Sequence, residues 1–408
     1  MKILYLHQYF ATPSSKSGTR SYEMAKRLVK NGHDVTFVTS SAYLSDEFSL
    51  KNGWNYLEIE GIKLHVLNLN YSNNDGFIKR IFKFINFSIR STFKALKVKS
   101  NVVFATSTPL TIAIPGLVYS KIKGKPLVFE VRDLWPELPI ATGVIKNPLI
   151  ISFARWLEKY TYRNSSRLVG LSPGMCDGIA QQGIPRSKIT LATNSCDTEL
   201  FDVDSIVGEN YINSNFCFLN GRKLIVYTGT FGLINDVGYL VEIAKEAMNI
   251  APELCFVAIG EGMEKEKVIE KASSAGVLNK NLYILPAVPK TEIVKILSAA
   301  DLSLSLFGPI KEMWNNSANK LFDSLASQTP IAINYGGWQK EFILESKCGV
   351  VLDHRNYKSS VINIKDFLFD MKAYNLAKDS CRTLSYERFS RDIMAKKLEN
   401  TILEACDD

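Results

Sequence analysis

No apolar run in this chain reaches the roughly 18–20 residues that a membrane-spanning helix needs. The best candidate, Val102 to Tyr119, is broken by Thr106, Ser107, Thr108, Pro109 and Pro115. Histidine is scarce, with four residues and none paired at ligand spacing, so no metal is expected. The cysteines, Cys176, Cys196, Cys217, Cys255, Cys348, Cys381 and Cys406, are odd in number and irregularly spaced. That pattern gives neither a disulfide framework nor a zinc site, and a reducing cytoplasm is the simplest context. A six-residue Gly-x-Gly-x-x-Gly fingerprint and a P-loop are also missing, which weighs against dinucleotide and ATP sites. The opening Met1-Lys2-Ile3-Leu4-Tyr5-Leu6 reads as a buried strand rather than a signal peptide.

What is present is globular. With 408 residues the chain is too long for one ordinary core and fits two domains of roughly 150–200 residues each. The formal charge of +8 is unevenly placed. Residues 75–99 hold Lys79, Arg80, Lys83, Arg90, Lys94, Lys97 and Lys99 against one acid, Asp75, so the rest of the chain is nearly balanced.

The first half alternates short apolar runs with helical patterns, the signature of a parallel sheet covered by helices. Strands are expected at Lys2–His7, Val35–Thr39, Lys63–Leu67, Val102–Ala105, Pro126–Val131 and Arg167–Leu171, with helices at 19–30, 77–97, 110–121 and 148–163. After a polar stretch near 195–222 the rhythm restarts, with strands at Leu224–Thr228, Cys255–Ile259, Asn281–Leu285, Leu302–Phe307 and 331–334. The expected fold is α/β, two Rossmann-like doubly wound domains facing a central cleft. Residues 1–195 and 196–380 form the domains, and a helix within 381–408 packs back on the first. Ligands of such sheets bind beyond the C-terminal strand ends.

The most informative stretch is 315–337, where a polar loop opens a short helix carrying Lys320 and Asp323. Thr329-Pro330 ends the helix, a strand follows, and Gly336-Gly337 closes the unit. A helix N-terminus suits a phosphate, and an acid one turn further in can accept sugar hydroxyls. A sugar joined to a diphosphate is the expected ligand. Gly229-Thr230 and Gly260-Glu261-Gly262, at two strand ends of the same domain, suit close approach of a nucleotide, or simply turn.

In the first domain, His7 ends strand one, and Ser17-Gly18-Thr19-Arg20 opens a helix, either near a ligand or as an ordinary cap. Arg132-Asp133-Leu134-Trp135-Pro136-Glu137 ends a sheet strand. Asp133 or Glu137 could steady an acceptor hydroxyl and Arg132 offset negative charge, or Arg132 and Asp133 could pair to support a turn. Over 77–97 the cations are expected along one helix side and Phe77, Ile78, Ile81, Phe82, Ile85, Ile89, Phe93 and Leu96 on the other. With Phe84 and Phe87 this apolar side is wider than a core stripe requires, so a surface on anionic membrane is expected. Nucleic acid is not, because basic patches elsewhere are lacking.

With Ser17-Gly18-Thr19-Arg20-Ser21-Tyr22-Glu23, Phe129 to Pro136, Tyr227-Thr228-Gly229-Thr230, Ile259 to Gly262 and Asn319-Lys320-Leu321-Phe322-Asp323, the whole chain resembles the GT-B glycosyltransferases of family 4. Within that family it is similar to bacterial O-antigen and capsule L-N-acetylfucosaminyl (WbuB-like) transferases. The resemblance implies a retaining, metal-independent transfer from a UDP-sugar to a polyprenyl-diphosphate-linked saccharide, by a cytoplasmic protein held at the inner face of the membrane. It implies no cofactor.

It also implies a donor site in the second domain with Gly229, Thr230, Gly260, Gly262, Asn315, Ser317, Asn319, Lys320, Leu321 and Asp323. An acceptor site with His7, Gly18, Thr19, Arg20 and Glu137 belongs to the first, and Lys320, Asp133 and Arg132 are the candidate catalytic groups. Asp323 matches the second acid of the family's Glu-seven residues-Glu motif, at the ribose, while Asn315 stands where the first acid is expected. Thr230 and Asn235 or Asp236 replace a usual Arg and Lys, which leaves Lys320 for the diphosphate. Two other readings remain, a UDP-N-acetylhexosamine epimerase of the same fold and an inactive scaffold partner.

Overall fold

The computed structural model describes residues 1–15, 18–44, 48–69 and 77–407, with residues 77 and 78 described by backbone alone. Ser17 and Asp75 lie outside them. The chain divides into two compact units, Met1–Thr193 with Arg391–Asp408, and Asn194–Ser390.

In the first unit the elements run β1 (Lys2–Leu6), α1 (Arg20–Lys30), β2 (Asp34–Ser40), β3 (Trp54–Ile59), β4 (Ile62–Leu67), α2 (Phe77–Ala95), β5 (Val102–Thr106) and α3 (Ala113–Lys123). Then follow β6 (Leu127–Val131), α4 (Glu137–Ala141), α5 (Pro148–Arg163), β7 (Arg167–Gly170), α6 (Pro173–Gln181) and β8 (Ile189–Leu191). The sheet order is β3-β4-β2-β1-β5-β6-β7-β8. Every pairing is parallel except β3 with β4. Continuous apolar runs such as Val102-Val103-Phe104-Ala105 are buried throughout, as strands covered on both faces must be.

The second unit holds α7 (Ser205–Asn215), β9 (Lys223–Thr228), α8 (Gly238–Ile250), β10 (Leu254–Ile259), α9 (Lys265–Ser274), β11 (Leu282–Leu285), α10 (Lys290–Ser298) and β12 (Leu302–Ser305). It continues with α11 (Asn319–Ala326), β13 (Ile331–Ile333), α12 (Trp338–Ser346), β14 (Gly349–Val351), α13 (Tyr357–Phe369) and α14 (Met371–Glu387). Its all-parallel sheet is ordered β11-β10-β9-β12-β13-β14. The strand order reverses between β1 and β5 in one unit and between β9 and β12 in the other, the crevices where such sheets take ligands.

Three expectations change. The polar stretch 195–222 contains α7, which packs against α10. The 381–408 segment is not one piece: residues to Ser390 stay with the second unit, and α15 (Arg391–Asp407) packs on α1 and the first sheet. On α2 the expected sides are redrawn, because Phe87, Ser88, Ser91 and Ala95 face the core. Phe82, Ile85, Ile89 and Phe93 are exposed, interleaved with the cations rather than opposite them.

Candidate functional site

The α11 helix begins where no side chain can cap it. Ala318 occupies the cap position and has no side-chain oxygen to offer, its carbonyl accepting the Leu321 N–H at 3.2 Å. The nearby Ser317 is already engaged, since its Oγ accepts the Asn194 N–H at 3.2 Å and its carbonyl accepts Asn194 Nδ2 at 2.6 Å. The helix therefore starts without a side-chain acceptor for its first amides, and its positive end suits an anion. Leu321, Phe322 and Leu325 are buried and fix α11 to the core. Leu321, expected among the donor contacts, thus packs inward and offers that site only backbone.

Lys320 leaves α11 toward the end of β9. Its Nζ lies 5.1 Å from the centroid of the Tyr227 ring. A Cβ on Gly229 would stand 2.8 Å from Lys320 Cε, so only glycine gives this lysine its path. Burial pushes the Lys320 pKa down to about 8; Asp323 pulls it up and Lys290 pushes it down again. A half-buried ammonium held below its ordinary pKa is a group that gains by meeting an anion.

Asp323 forms an ion pair with Lys290, the first residue of α10, whose Nζ also lies 5.0 Å from the Phe201 ring centroid. Sequence reading missed Lys290 because it stands on another element, 33 residues away. Its one local signal is its place at a helix start just after β11.

Gly260 and Gly262 bring two loop backbones together. Cβ atoms there would meet the Gly229 carbonyl oxygen at 1.8 Å and the Phe231 carbonyl oxygen at 2.3 Å. These glycines let the loops after β9 and β10 lie backbone on backbone, which sets the position of Gly229. Thr230 is exposed and its carbonyl accepts the Tyr227 hydroxyl at 2.8 Å. Asn315 is half-buried in a single turn, Lys311–Asn315, and Asn319 is exposed at the start of α11. The next carbonyl, that of Asn316, accepts Trp338 Nε1 at 2.8 Å and Gln339 Nε2 at 3.1 Å. Gly336 and Gly337 make room for Trp314, whose ring would stand 3.0 Å from a Cβ on Gly336.

In the first unit the ends of β1 and β6 bring His7, Arg132 and Asp133 together. Arg132 Nη1 donates to His7 Nε2 at 3.4 Å, so Nδ1 carries the proton and donates to Ser21 Oγ at 2.8 Å. Burial and then Arg132 hold the His7 pKa well below its ordinary value, so the ring is neutral. Asp133 accepts the Thr108 hydroxyl at 3.1 Å. Burial raises its pKa against the pull of Arg132 and Thr108.

Other acceptor candidates have structural partners. Arg20 is buried, with Nε and Nη2 donating to Glu130 Oε1 at 3.1 and 2.7 Å and Nη1 to the Thr193 carbonyl at 2.6 Å. It is a core pair rather than a ligand group. Gly18 is exposed, and Thr19 Oγ1 accepts Arg391 Nη2 at 3.5 Å. Glu137 is exposed and accepts both Arg155 Nε at 3.0 Å and Nη2 at 3.2 Å. Among the described residues no helix is long and apolar enough to cross a membrane.

Residues 17–195 match the family model of the Glycosyl transferase 4-like domain. No curated protein matches the sequence. Among solved structures, Anabaena Alr3699/HepE in complex with UDP and glucose is similar over 99% of both chains, with a TM-score of 0.72 at 14% identity. WaaG, a glycosyltransferase involved in lipopolysaccharide biosynthesis, is similar over 98% of this chain and 99% of its own, with a TM-score of 0.68 at 12% identity. The sucrose-phosphate synthase of Thermosynechococcus elongatus is similar over 98% of this chain and 97% of its own, with a TM-score of 0.72 at 12% identity. The fold is that of the GT-B glycosyltransferases. With its glycosyl transferase 4-like domain, the chain is an enzyme of the glycosyltransferase class.

Proposed function

We propose that this enzyme is a retaining transferase that moves a sugar, of the N-acetylated amino-sugar kind such as L-FucNAc, from a UDP-sugar to a polyprenyl-diphosphate-linked saccharide in O-antigen or capsule synthesis. The observation that carries the reading is Lys320, laid across Gly229 at the uncapped start of α11 with its pKa pushed down to about 8. The UDP preference is supported by the similar HepE structures, which hold UDP, UDP with glucose, and UDP-glucose.

The hard step is departure of a diphosphate from the anomeric carbon. Lys320 and the α11 N-terminus stabilise the charge that grows on the leaving oxygens, an effect of about 10²–10³ in rate per well-placed donor. Asp323 accepts a ribose hydroxyl while Lys290 fixes its other oxygen. At the end of β6, Arg132 offsets the negative charge of the acceptor and Asp133 steadies its hydroxyl, with neutral His7 orienting the guanidinium. No protein nucleophile is invoked, so the acceptor attacks from the leaving-group face and a phosphate oxygen takes its proton. A cation side chain in this role makes a metal ion unnecessary. The α2 surface, with Phe82, Ile85, Ile89 and Phe93 exposed among Lys79, Arg80, Lys83, Arg90, Lys94 and Lys97, holds the protein against anionic membrane.

The test is transfer from a panel of UDP-N-acetyl sugars to polyprenyl-diphosphate-linked monosaccharide, with and without chelator, read by mass and by the anomeric configuration of the product. Retained configuration with chelator-insensitive turnover is expected. An inverted product, or nucleotide-sugar turnover without any acceptor, contradicts the reading. One observation favours a second reading, a donor-binding partner without turnover: neutral Asn315 stands at the position the resemblance gives to a sugar-holding acid. UDP binding without transfer selects it.

A further inference from the structure

We infer that the membrane-facing surface of the first unit is a layer of three helices, α2, α3 and α5, in which Leu149, Phe153 and Trp156 of α5 form a second apolar wedge. The inference rests on the membrane reading of α2 and extends it to residues outside the basic segment. Its occupant is a lipid bilayer containing anionic headgroups.

The three helices cover one face of the sheet. The α3 helix packs against both α2 and α5, and the single turn Leu110–Ile112 touches all three. Their inward side chains, Phe87, Leu117 and Leu157 among them, join one hydrophobic cluster with Val103, Leu127 and Phe129 of the strands. Their outward sides are therefore neighbouring parts of one surface.

That surface is unusually apolar. On α5, Leu149 is 80% exposed, Phe153 53% and Trp156 55%, at spacings of four and three residues that make one stripe. Ile122, 63% exposed, lies near the end of α3, the helix that packs against both α2 and α5. Large apolar side chains in contiguous exposed stripes mark an interaction surface, because scattered single residues are the norm.

Its charge has one sign. Neither α2 nor α3 contains an acid, and the one carboxylate of α5, Glu158, is buried. Lys121 and Lys123 on α3 and Arg155 and Lys159 on α5 add to the cations of α2, with Arg155 paired to Glu137. The aromatic groups are of the kind that sits at a membrane interface: Trp156 stacks on Tyr160 at 5.3 Å, and Lys121 Nζ lies 4.8 Å from the Tyr160 ring centroid. A second copy of this chain would bring the same positive face and be repelled, whereas anionic lipid satisfies both the charge and the apolar tips.

The experiment is flotation of the full chain with vesicles of phosphatidylglycerol and phosphatidylcholine. The triple variant Leu149→Ser, Phe153→Ser, Trp156→Ser should bind at least about tenfold more weakly than wild type. Its melting curve serves as the fold control. Brominated lipid should quench a fluorescence component that disappears in Trp156→Phe. If the α2 variant Lys79→Gln, Lys83→Gln, Lys94→Gln is released while the α5 variant floats unchanged and Trp156 is unquenched, the inference is wrong and the α2 reading stands. If the wild type does not float at all, both are wrong. A lipid-free dimer that the α5 variant dissociates would make this face a protein interface and overturn the inference.

Discussion

The Lys320 side chain crosses Gly229 so closely that a Cβ on that glycine would stand 2.8 Å from Cε and 3.0 Å from Nζ. Gly229 also has φ +146, a conformation that side-chain-bearing residues rarely adopt. Gly229→Ala should displace the lysine and cut turnover of UDP-sugar by roughly tenfold or more, at a stability cost of about 1–3 kcal/mol. Steady-state kinetics beside a denaturation curve measures both. Unchanged turnover in a folded variant would show that the lysine does not need this path.

The pH profile reports the same lysine. With its pKa pushed down to about 8, Lys320 loses its charge in the free enzyme as pH rises through that value. Accordingly kcat/KM, which reflects free enzyme, should fall above about pH 8. Bound diphosphate raises the pKa again, so kcat should hold to higher pH. Lys320→Arg keeps its charge throughout and should flatten the fall in kcat/KM. A wild-type profile already flat through this range would remove the ammonium from the mechanism.

Lys290 and Asp323 share an ion pair on the same side of the second sheet. Lys290→Met should free the carboxylate to turn toward Lys320, raising KM for UDP-sugar by about tenfold with a smaller effect on kcat. Lys290→Arg should restore most of the affinity. Wild-type constants for the methionine variant would mean that the pair takes no part in donor binding.

Arg20 and Glu130 form a pair whose side chains are 5% and 1% exposed. Burial opposes the charge on Glu130, yet Arg20, joined by Arg132 and the Thr106 hydroxyl, keeps the carboxyl below its ordinary pKa. Arg20→Met should cost about 3–5 kcal/mol by stranding that charge, visible as a lower urea midpoint. The acceptor KM should not move below the melting range. A shifted acceptor KM at unchanged stability would return Arg20 to the binding site.

The alternation of strands and helices was legible because parallel strands, buried on both faces, read as unbroken apolar runs. The strand β3 escaped because Trp54-Asn55-Tyr56-Leu57-Glu58-Ile59 is an antiparallel edge whose side chains are only partly buried. On α2 the helical spacing was plain, but spacing alone does not say which stripe turns inward. Ser88 and Ser91 do so here, their hydroxyls donating to the Thr111 and Ser88 carbonyls at 3.1 and 3.0 Å. The Asn-Lys-Leu-Phe-Asp string marked Lys320 and Asp323, since helix start and charge lie within five residues. Lys290 and Glu130 were hidden because their partners are distant in sequence and meet only through strand order.

The central claim, that Lys320 with the start of α11 receives the diphosphate, is tested most directly by calorimetry of UDP and uridine on wild type and Lys320→Ala. Wild type should bind UDP at least about tenfold more tightly than uridine. The variant should lose most of that margin while binding uridine as before. An equal UDP-to-uridine ratio in the two proteins would contradict the account.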